Sequence, residues 1–400
     1  MDMTNASSPV HRDTASLPFL NGVYVAVDAI SGAYLIVDGP YCVFTKAEMQ
    51  YCHNLRSRLI PPVGYRRVVH TGQRQSEEVK SLSTDRVALV EKIFSDVRAQ
   101  PDAEIVLATS FDFHELVNFP LKDIARRHAG LGGALVCHVP SRSLGGNWLD
   151  GYASTCAALA GAVSLRPSRR RKDAVAIVGY LRDRDEPDHA GNLRELTRLL
   201  GGLGLSVESV WLSGGGRAEL EAAQRAGLVI SLPYAREAAR VVAERVKAEL
   251  CEVGLPLGLG GTERFLLEVG SRVGRREQAR RLIAAEVAAA VRDVEIHVLR
   301  LIAGRTAMIR QNDPYLDAGI RELCAELGLV IDEGAPERAL CFAPTSIGRM
   351  RAFAHVPIGY PNYLEHPTVE RPFLGYMGFR HLAERIAATA LRDEVQAAEL

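Results

Sequence analysis

The sequence predicts an α/β protein made of successive, mostly parallel layers, and three observations predict it. Short β-branched runs such as "AVAIVG" (Ala174–Gly179) alternate with helical patterns along most of the chain. Four hundred residues exceed one ordinary core and call for two or three domains. Hydrophobic residues at 47% and charged residues at 24% are the proportions of a soluble globular protein.

Taken in order, Met1–Ser16 is polar, lacks the apolar core of a secretory leader, and is expected to be disordered. A first unit, residues 17–168, has a strand near Tyr34–Val37 and a helix from Val43. Helix Thr84–Ala99 then feeds strand Glu104–Ala108, and helix Leu116–His128 feeds strand Ala134–His138. A loop, "VPSRSLGGNWLDGY", precedes helix Ala153–Val163. The basic, proline-containing "RPSRRRKD" (Arg166–Asp173) reads as a linker.

A second unit, 174–274, holds strand Ala174–Gly179, helix Asn192–Leu203, strand Ser206–Trp211 and helix Ala218–Ala226. Strand Leu228–Leu232 and helix Ala235–Leu250 follow, then the loop "GLPLGLGGTERF", where Thr262 looks like an N-cap with Glu263 in the first turn. The last unit, 275–400, opens with an Ala/Arg-rich interdomain helix over Arg275–Leu301. It continues with strand Thr306–Arg310, helix Tyr315–Leu327, strands Val330–Asp332 and Ala339–Phe342, and a terminal helix from Tyr376. This unit has fewer strand–helix pairs than the other two.

Lys+Arg and Asp+Glu balance at 48 each, so nothing points to nucleic acid or an anionic membrane surface. No apolar run is long enough to span a bilayer, and a cytoplasmic location is expected. The seven cysteines, Cys42, Cys52, Cys137, Cys156, Cys251, Cys324 and Cys341, are scattered without a CxxC pair. That pattern argues against a disulfide framework or a self-contained metal site, and most should pack as small buried hydrophobes. Any metal cluster needs a second chain to complete it.

Parallel sheets bind ligands at the carboxyl ends of their strands. The loops to search are therefore Asp38–Cys42, Thr109–Glu115, Pro140–Tyr152, Ser213–Arg217, Leu232–Tyr234, Leu257–Thr262 and Tyr360–Arg371. Cys42 sits in "DGPYC" at an expected helix start, where the dipole and unpaired N–H groups favour the thiolate that ligates metal. The alternative is a packed turn thiol. The glycines of "SGGG" (from Ser213, with Gly214) and "GLGG" (Gly258, Gly260) cradle an anion or simply make tight turns. His114, beside Asp112 and Glu115, is an acid/base group or part of a helix cap.

Ordered landmarks from Leu17 to Asp393 resemble the nitrogenase component 1 superfamily. "NGVYVAVDAISGAYLIVDGPYCVF" is similar to its opening segment, with Cys42 on the cysteine of an "HG..GC" turn. "VVHTGQRQSEEVKSLSTDRVALVEKIFSDVRAQPDAEIVLATS" resembles the stretch before a second ligand loop. "HVPSRSLGGNWLDGYASTCAAL" resembles the "hTp.f.G....Gyd" loop, and "VPIGYPNYLEHPTVERPFLGYMGFRHLAERIA" the β-type closing segment with its "GY.G" helix start.

The resemblance implies three Rossmann-like domains around a shallow cleft and a subunit of a nitrogenase-like reductase, within a heterotetramer. It implies a [4Fe–4S] cluster shared with a homologous partner subunit, and electrons from a separate nucleotide-dependent iron protein that alone binds ATP. Cys42 falls on a cluster ligand and Asp112 on a candidate oxygen ligand; His114 or His366 would protonate a reduced intermediate. Ser213, Gly214, Gly258, Gly260 and Thr262 would line the substrate cleft.

Departures from the pattern qualify this picture. Other ligand positions read Leu17-Pro18-Phe19 and Ser110-Phe111-Asp112, so one chain cannot hold a cluster alone. "ISLPY" replaces the cysteine that binds the large metal cofactor, and the span from Asp332 to Ala339 shortens the third domain. Two other readings stand beside the reductase: a non-catalytic assembly scaffold or partner-stabilising subunit, and a cluster-free α/β binding protein.

Overall fold

A computed structural model describes residues 17–40, 67–72, 86–111, 119–141, 145–166, 171–183, 187–334, 339–344, 354–362 and 368–398. Cys42, Cys52, Asp112, His114, His366 and the start of the helix expected from Val43 lie outside the described residues.

Three four-stranded sheets follow one another along the chain. The first holds β1 (Ala33–Pro40), β2 (Val68–Gly72), β3 (Ile105–Ser110) and β4 (Leu135–His138), in the order β2-β1-β3-β4. The second holds β5 (Arg171–Val178), β6 (Ser206–Val210), β7 (Ala226–Ser231) and β8 (Glu249–Glu252), in the order β6-β5-β7-β8. The third holds β9 (Thr306–Ile309), β10 (Val330–Ile331), β11 (Leu340–Ala343) and β12 (Ala354–Pro357), in the order β10-β9-β11-β12. Every strand pair is parallel. Each sheet thus repeats one winding, and each has a switch point between its first and third strands, where open α/β sheets take ligands.

The sequence expectations need four corrections. The helix expected from Ala153 begins at Trp148, because Asn147 and Asp150 form a capping box: Asn147 Oδ1 accepts from the Leu149 and Asp150 amides, and Asp150 from the Asn147 amide. The helix expected over Ala235–Leu250 stops at Val246, because Lys247 takes a left-handed φ of 57°, and the chain then forms β8. The third unit is no poorer in strands than the others: β12 completes its sheet at an edge, where a terminal proline is tolerated. Finally, the presumed linker Arg166–Asp173 is partly strand, since β5 starts at Arg171, whose guanidinium pairs with Glu208 on β6.

The units share cores and are not strung like beads. One apolar cluster runs through the second and third sheets (Leu199, Phe265, Phe342, Phe379), and another joins the first to the second (Phe19, Trp148, Trp211, Val242). In the latter, helices Phe19–Asp28 and Trp148–Ala162 cross backbone to backbone. A Cβ added at Gly22 would lie 1.6 Å from the Trp148 carbonyl oxygen, and one at Gly151 would lie 1.9 Å from that of Phe19. Only glycine fits at both positions. The crossing fixes Trp148, which reaches out of the first unit to pack, tilted by 33°, against Tyr360 of the third at 4.8 Å between ring centroids.

Candidate functional site

At the carboxyl end of the first sheet, Asp38 is fully buried and its carboxylate accepts from Thr71 Oγ1 (2.7 Å) and from Arg86. Its carbonyl accepts from the Phe111 amide at 2.8 Å, and a Cβ on Gly39 would sit 2.7 Å from that of Phe111. This β1/β3 end is the place that Cys42 follows in sequence. The described residues here supply no thiolate, and Asp38 is committed to Arg86, so they do not by themselves fit an iron–sulfur cluster. Donors for one would have to come from Cys42 and Asp112, outside the described residues.

The five described cysteines, Cys137, Cys156, Cys251, Cys324 and Cys341, are buried thiols outside any disulfide, as the scattered spacing suggested. Burial pushes Cys137 and Cys324 up to about 12 and Cys251 and Cys341 up to about 11, so they remain protonated. Among the described residues no group of three His, Cys, Asp or Glu side chains is placed to hold a metal ion. None of their helices is long and apolar enough to cross a membrane.

Both glycine loops turn out to hold an anion that the chain itself provides. In "SGGG", Ser213 Oγ donates to the Val210 carbonyl, Gly214 N donates to Ala29 O at 2.8 Å, and the Arg217 amide takes Glu104 Oε2 at 2.8 Å. That loop seals the second unit against the first. In "GLGG", the helix starts at Gly258, and the Leu259 and Gly260 amides hold the Glu326 carboxylate at 2.8 and 2.7 Å. Thr262 is therefore inside the helix and not its cap; its hydroxyl donates back to Gly258 O at 2.6 Å.

The open space lies elsewhere, between the carboxyl ends of the second and third sheets. A cavity with about 60 Å³ open to the centre of a water molecule is bounded there, and none of Ser213, Gly214, Gly258, Gly260 or Thr262 lines it. Most of its walls come from four loops, with Trp148, Leu255 and Phe373 beside them. After β5, Gly179 turns with φ of 88°, its α-carbon so close under the Leu232 carbonyl that a Cβ would meet it at 2.5 Å. Tyr180 is thereby delivered to the wall, buried, with its carbonyl accepting from Tyr152. After β7, Leu232 leads into the turn Pro233–Ala235, which places Tyr234. Asp313 and Leu316 come from the loop and helix after β9, and Ile358, Tyr360 and Asn362 from the segment after β12.

Two hydrogen-bonded chains organise these walls. In the first, His189 Nε2 lies 2.6 Å from Asp183 Oδ1 and Nδ1 lies 2.8 Å from the Tyr180 hydroxyl. A carboxylate accepts only, so Nε2 carries a proton toward Asp183, and a neutral ring then accepts from Tyr180 at Nδ1. Asn192 completes the chain: its oxygen accepts from the Phe373 and Leu374 amides, which turns its NH₂ toward Tyr180, 3.5 Å away. In the second, Tyr234 donates to Asp313 Oδ2 at 2.6 Å, while Oδ1 caps helix Pro314–Glu326 at the Tyr315 and Leu316 amides.

Burial raises the Asp313 carboxyl, against the donors on it, and the Asp183 charge raises it further. Burial likewise lifts the phenols of Tyr180 and Tyr234, which stay protonated donors, with Asp313 adding to the rise at Tyr234. Trp148 Nε1 and Asn362 Oδ1 are buried and have no partner among the described residues.

The sequence reading had pointed to three contributing loops, those containing Trp148, Leu232–Tyr234 and Tyr360. It missed Asp183 in the loop after β5, Asp188 in the first turn of the helix Pro187–Gly202 that follows, and Asp313. A findable signal existed for Asp313, since "NDPYL" is an N-cap aspartate followed by a proline at the first helical position.

The profile of the nitrogenase component 1 type oxidoreductases matches residues 115–333, more than half of the chain. The chain belongs to that family. Among solved structures, a chain of nitrogenase Cp1 at pH 6.5 superposes with a TM-score of 0.74 at 15% identity, over 96% of this chain and 94% of that one. A chain of nitrogenase Cp1 at pH 5 gives 0.59 at 14% identity, over 84% and 66%. At such identities the likeness speaks for the fold alone. No curated protein matches the sequence. The family assignment agrees with the three parallel sheets and with the resemblance carried by the sequence landmarks.

Proposed function

We propose that this nitrogenase component 1 type chain is a subunit of a reductase complex whose substrate occupies the cavity between the second and third sheets. The observation that carries the reading is the coincidence of family and site. The family match over residues 115–333 includes the Tyr180, Tyr234 and Asp313 side of a cavity at the strand ends, where parallel sheets bind ligands.

In this reading a [4Fe–4S] cluster would lie at the interface with a homologous partner subunit, beyond the end of β1. Cys42 would supply one ligand and Asp112 a candidate second; the partner would supply the rest. When bound, the cluster would supply one-electron transfer, with reducing equivalents from a separate ATP-dependent iron protein. The residues of this chain would hold and orient the substrate. His114 or His366 would act as proton donors, and the Tyr180–His189–Asp183 chain would fix the cavity wall.

The test is an anaerobic preparation with the component 1-like protein encoded beside it, assayed for iron, sulfide and cluster absorbance. Wild type should carry a cluster and Cys42→Ala should lose most of it. Equal cluster content in the two would remove Cys42 from the reading.

A further inference from the structure

We infer that the cavity between the second and third sheets is built for a small neutral ligand, one planar ring carrying a carboxamide-like pair of an N–H donor and a carbonyl acceptor. The inference deepens the proposed function and rests on its placing of substrate in this cavity.

Size is the first argument. The 60 Å³ open to the centre of a water molecule has room for about four to six waters, and a cavity of about five waters' liquid volume takes a benzene ring. One ring with a short substituent fits that space. The second argument is the wall itself. Rings of Trp148, Tyr234, Tyr360 and Phe373, with Leu232 and Leu316, offer an apolar surface that another ring can meet offset or edge-on. Phe373 already takes the His189 ring in that edge-on way, at 5.8 Å between centroids.

Charge is the third argument, because the ionic groups on the wall are already engaged by the protein. Asp183 pairs with His189, Asp188 accepts from the His189 amide at 3.0 Å, and both have further partners. The Arg182 charge works against theirs at Tyr180. Asp313 is held by Tyr234 and two helix amides, and Arg385 donates to the Pro357 carbonyl. An ion entering here would give up its water without gaining a free counter-charge, whereas a neutral ring escapes that cost.

Two atoms left over supply the fourth argument. Asn362 is more than nine-tenths buried on this wall, and its Oδ1 has no partner among the described residues; the buried Trp148 Nε1–H has none either. Nearly all buried polar atoms in native folds are hydrogen-bonded, so an acceptor and a donor without partners at one cavity point to a ligand. Tyr360 packs on Trp148 and stands two residues before Asn362, which puts both atoms on one side of the space. A ligand N–H answers Asn362 Oδ1, and a ligand carbonyl answers Trp148 Nε1.

Benzamide, benzamidine and benzoate share a ring and a shape but are neutral, cationic and anionic, and they test this on the full-length chain by calorimetry or ligand-observed NMR. Benzamide should bind saturably and about tenfold or more tightly than either ion. Asn362→Leu, checked for an unchanged unfolding profile, should weaken benzamide about fivefold, the loss of one hydrogen bond, and leave toluene binding unchanged. No binding of benzamide, either ion binding as tightly, or a folded Asn362→Leu that holds benzamide as wild type does would each overturn the inference. If the variant does not fold, the wild-type order of the three probes decides alone. Because binding is read without electron transfer, its failure leaves the iron content of the Cys42→Ala comparison to be judged separately.

Discussion

At the carboxyl end of the first sheet, Asp38 is closed off by Thr71 and Arg86; at those of the second and third, Asp183, Asp188 and Asp313 surround open space. The strand order is the same in all three sheets, so topology alone does not decide where a ligand can enter. Side chains decide: a guanidinium laid on the carboxylate closes the first switch point, whereas Asp183 and Asp313 are held from one side by His189 and Tyr234 and still border open space. Buried titratable groups diverge in the same way. The first sheet buries His70 on β2 and leaves His138 half-buried on β4, where burial lowers both to about 4, helped at His138 by Lys122. Around the cavity and the Gly258 helix start, burial instead raises Asp313 and Glu326.

The largest effect should come from the helix crossing that braces the first unit. Gly22→Ala places a methyl group on the Trp148 carbonyl and should destabilise by more than about 3 kcal/mol in urea unfolding. Gly161→Ala, in the same helix as Gly151 but with nothing within 4 Å, should stabilise by about 0.5–1 kcal/mol. Similar outcomes for the two would mean that the backbone contact is not what holds the unit.

Acid should next separate the two regions. A histidine with a depressed pKa stays neutral in the fold but binds a proton once unfolded, so stability falls as pH drops below the ordinary 6.5 toward 4. Between pH 7 and pH 5, His70 and His138 should each remove about 2 kcal/mol, and His70→Gln should remove its share of the pH dependence. Raised carboxyls act with the opposite sign. The folded state binds their protons more tightly, so Asp313 and Glu326 gain stability as pH falls through their raised values. Hydrogen exchange should show strand Ile105–Ser110 losing protection at pH 5 before helix Pro314–Glu326 does.

Smaller changes sharpen the contrast. Asp38→Asn should cost about 2 kcal/mol, below the usual loss for a fully buried pair because Arg86 keeps 23% side-chain exposure. Tyr234→Phe should cost about 1 kcal/mol and raise the Asp313 carboxyl further, because that carboxyl loses a donor. An NMR titration of Asp313 in which the variant matched wild type would show that this hydrogen bond does not set its proton affinity.

Much of the fold was legible because β-branched runs and helical periods alternate so regularly; all three sheets have strands where such runs stand. What was not legible has local causes. Lys247 ends a helix in a left-handed conformation that a search for glycine does not find, so β8 was absorbed into the helix before it. β10, though only two residues long, stands where a strand was expected, whereas β12 ends in proline and offers too little pattern for period-two reading. The glycine loops were read as anion cradles or tight turns, and the carboxylates that fill them, Glu104 and Glu326, are distant in sequence. The cavity was only half visible. Its aromatic wall lies on loops that strand ends point to, whereas Asp183, Asp188 and Asp313 act together only because two sheets face each other.

Asn192 ties this wall to the end of the chain. One carboxamide grips the Phe373 and Leu374 amides with its oxygen and faces Tyr180 with its nitrogen. Phe373 is itself a wall residue, and Gly375 begins the terminal helix directly after it. The position of that helix start is therefore coupled to the cavity through Asn192, which touches both Tyr180 and the Phe373 amide. The terminal helix works as a pointer seated on three holds at its start: Asn192 on the Phe373 and Leu374 amides, the Pro256 carbonyl on that of Gly375, and Glu195 on that of Met377.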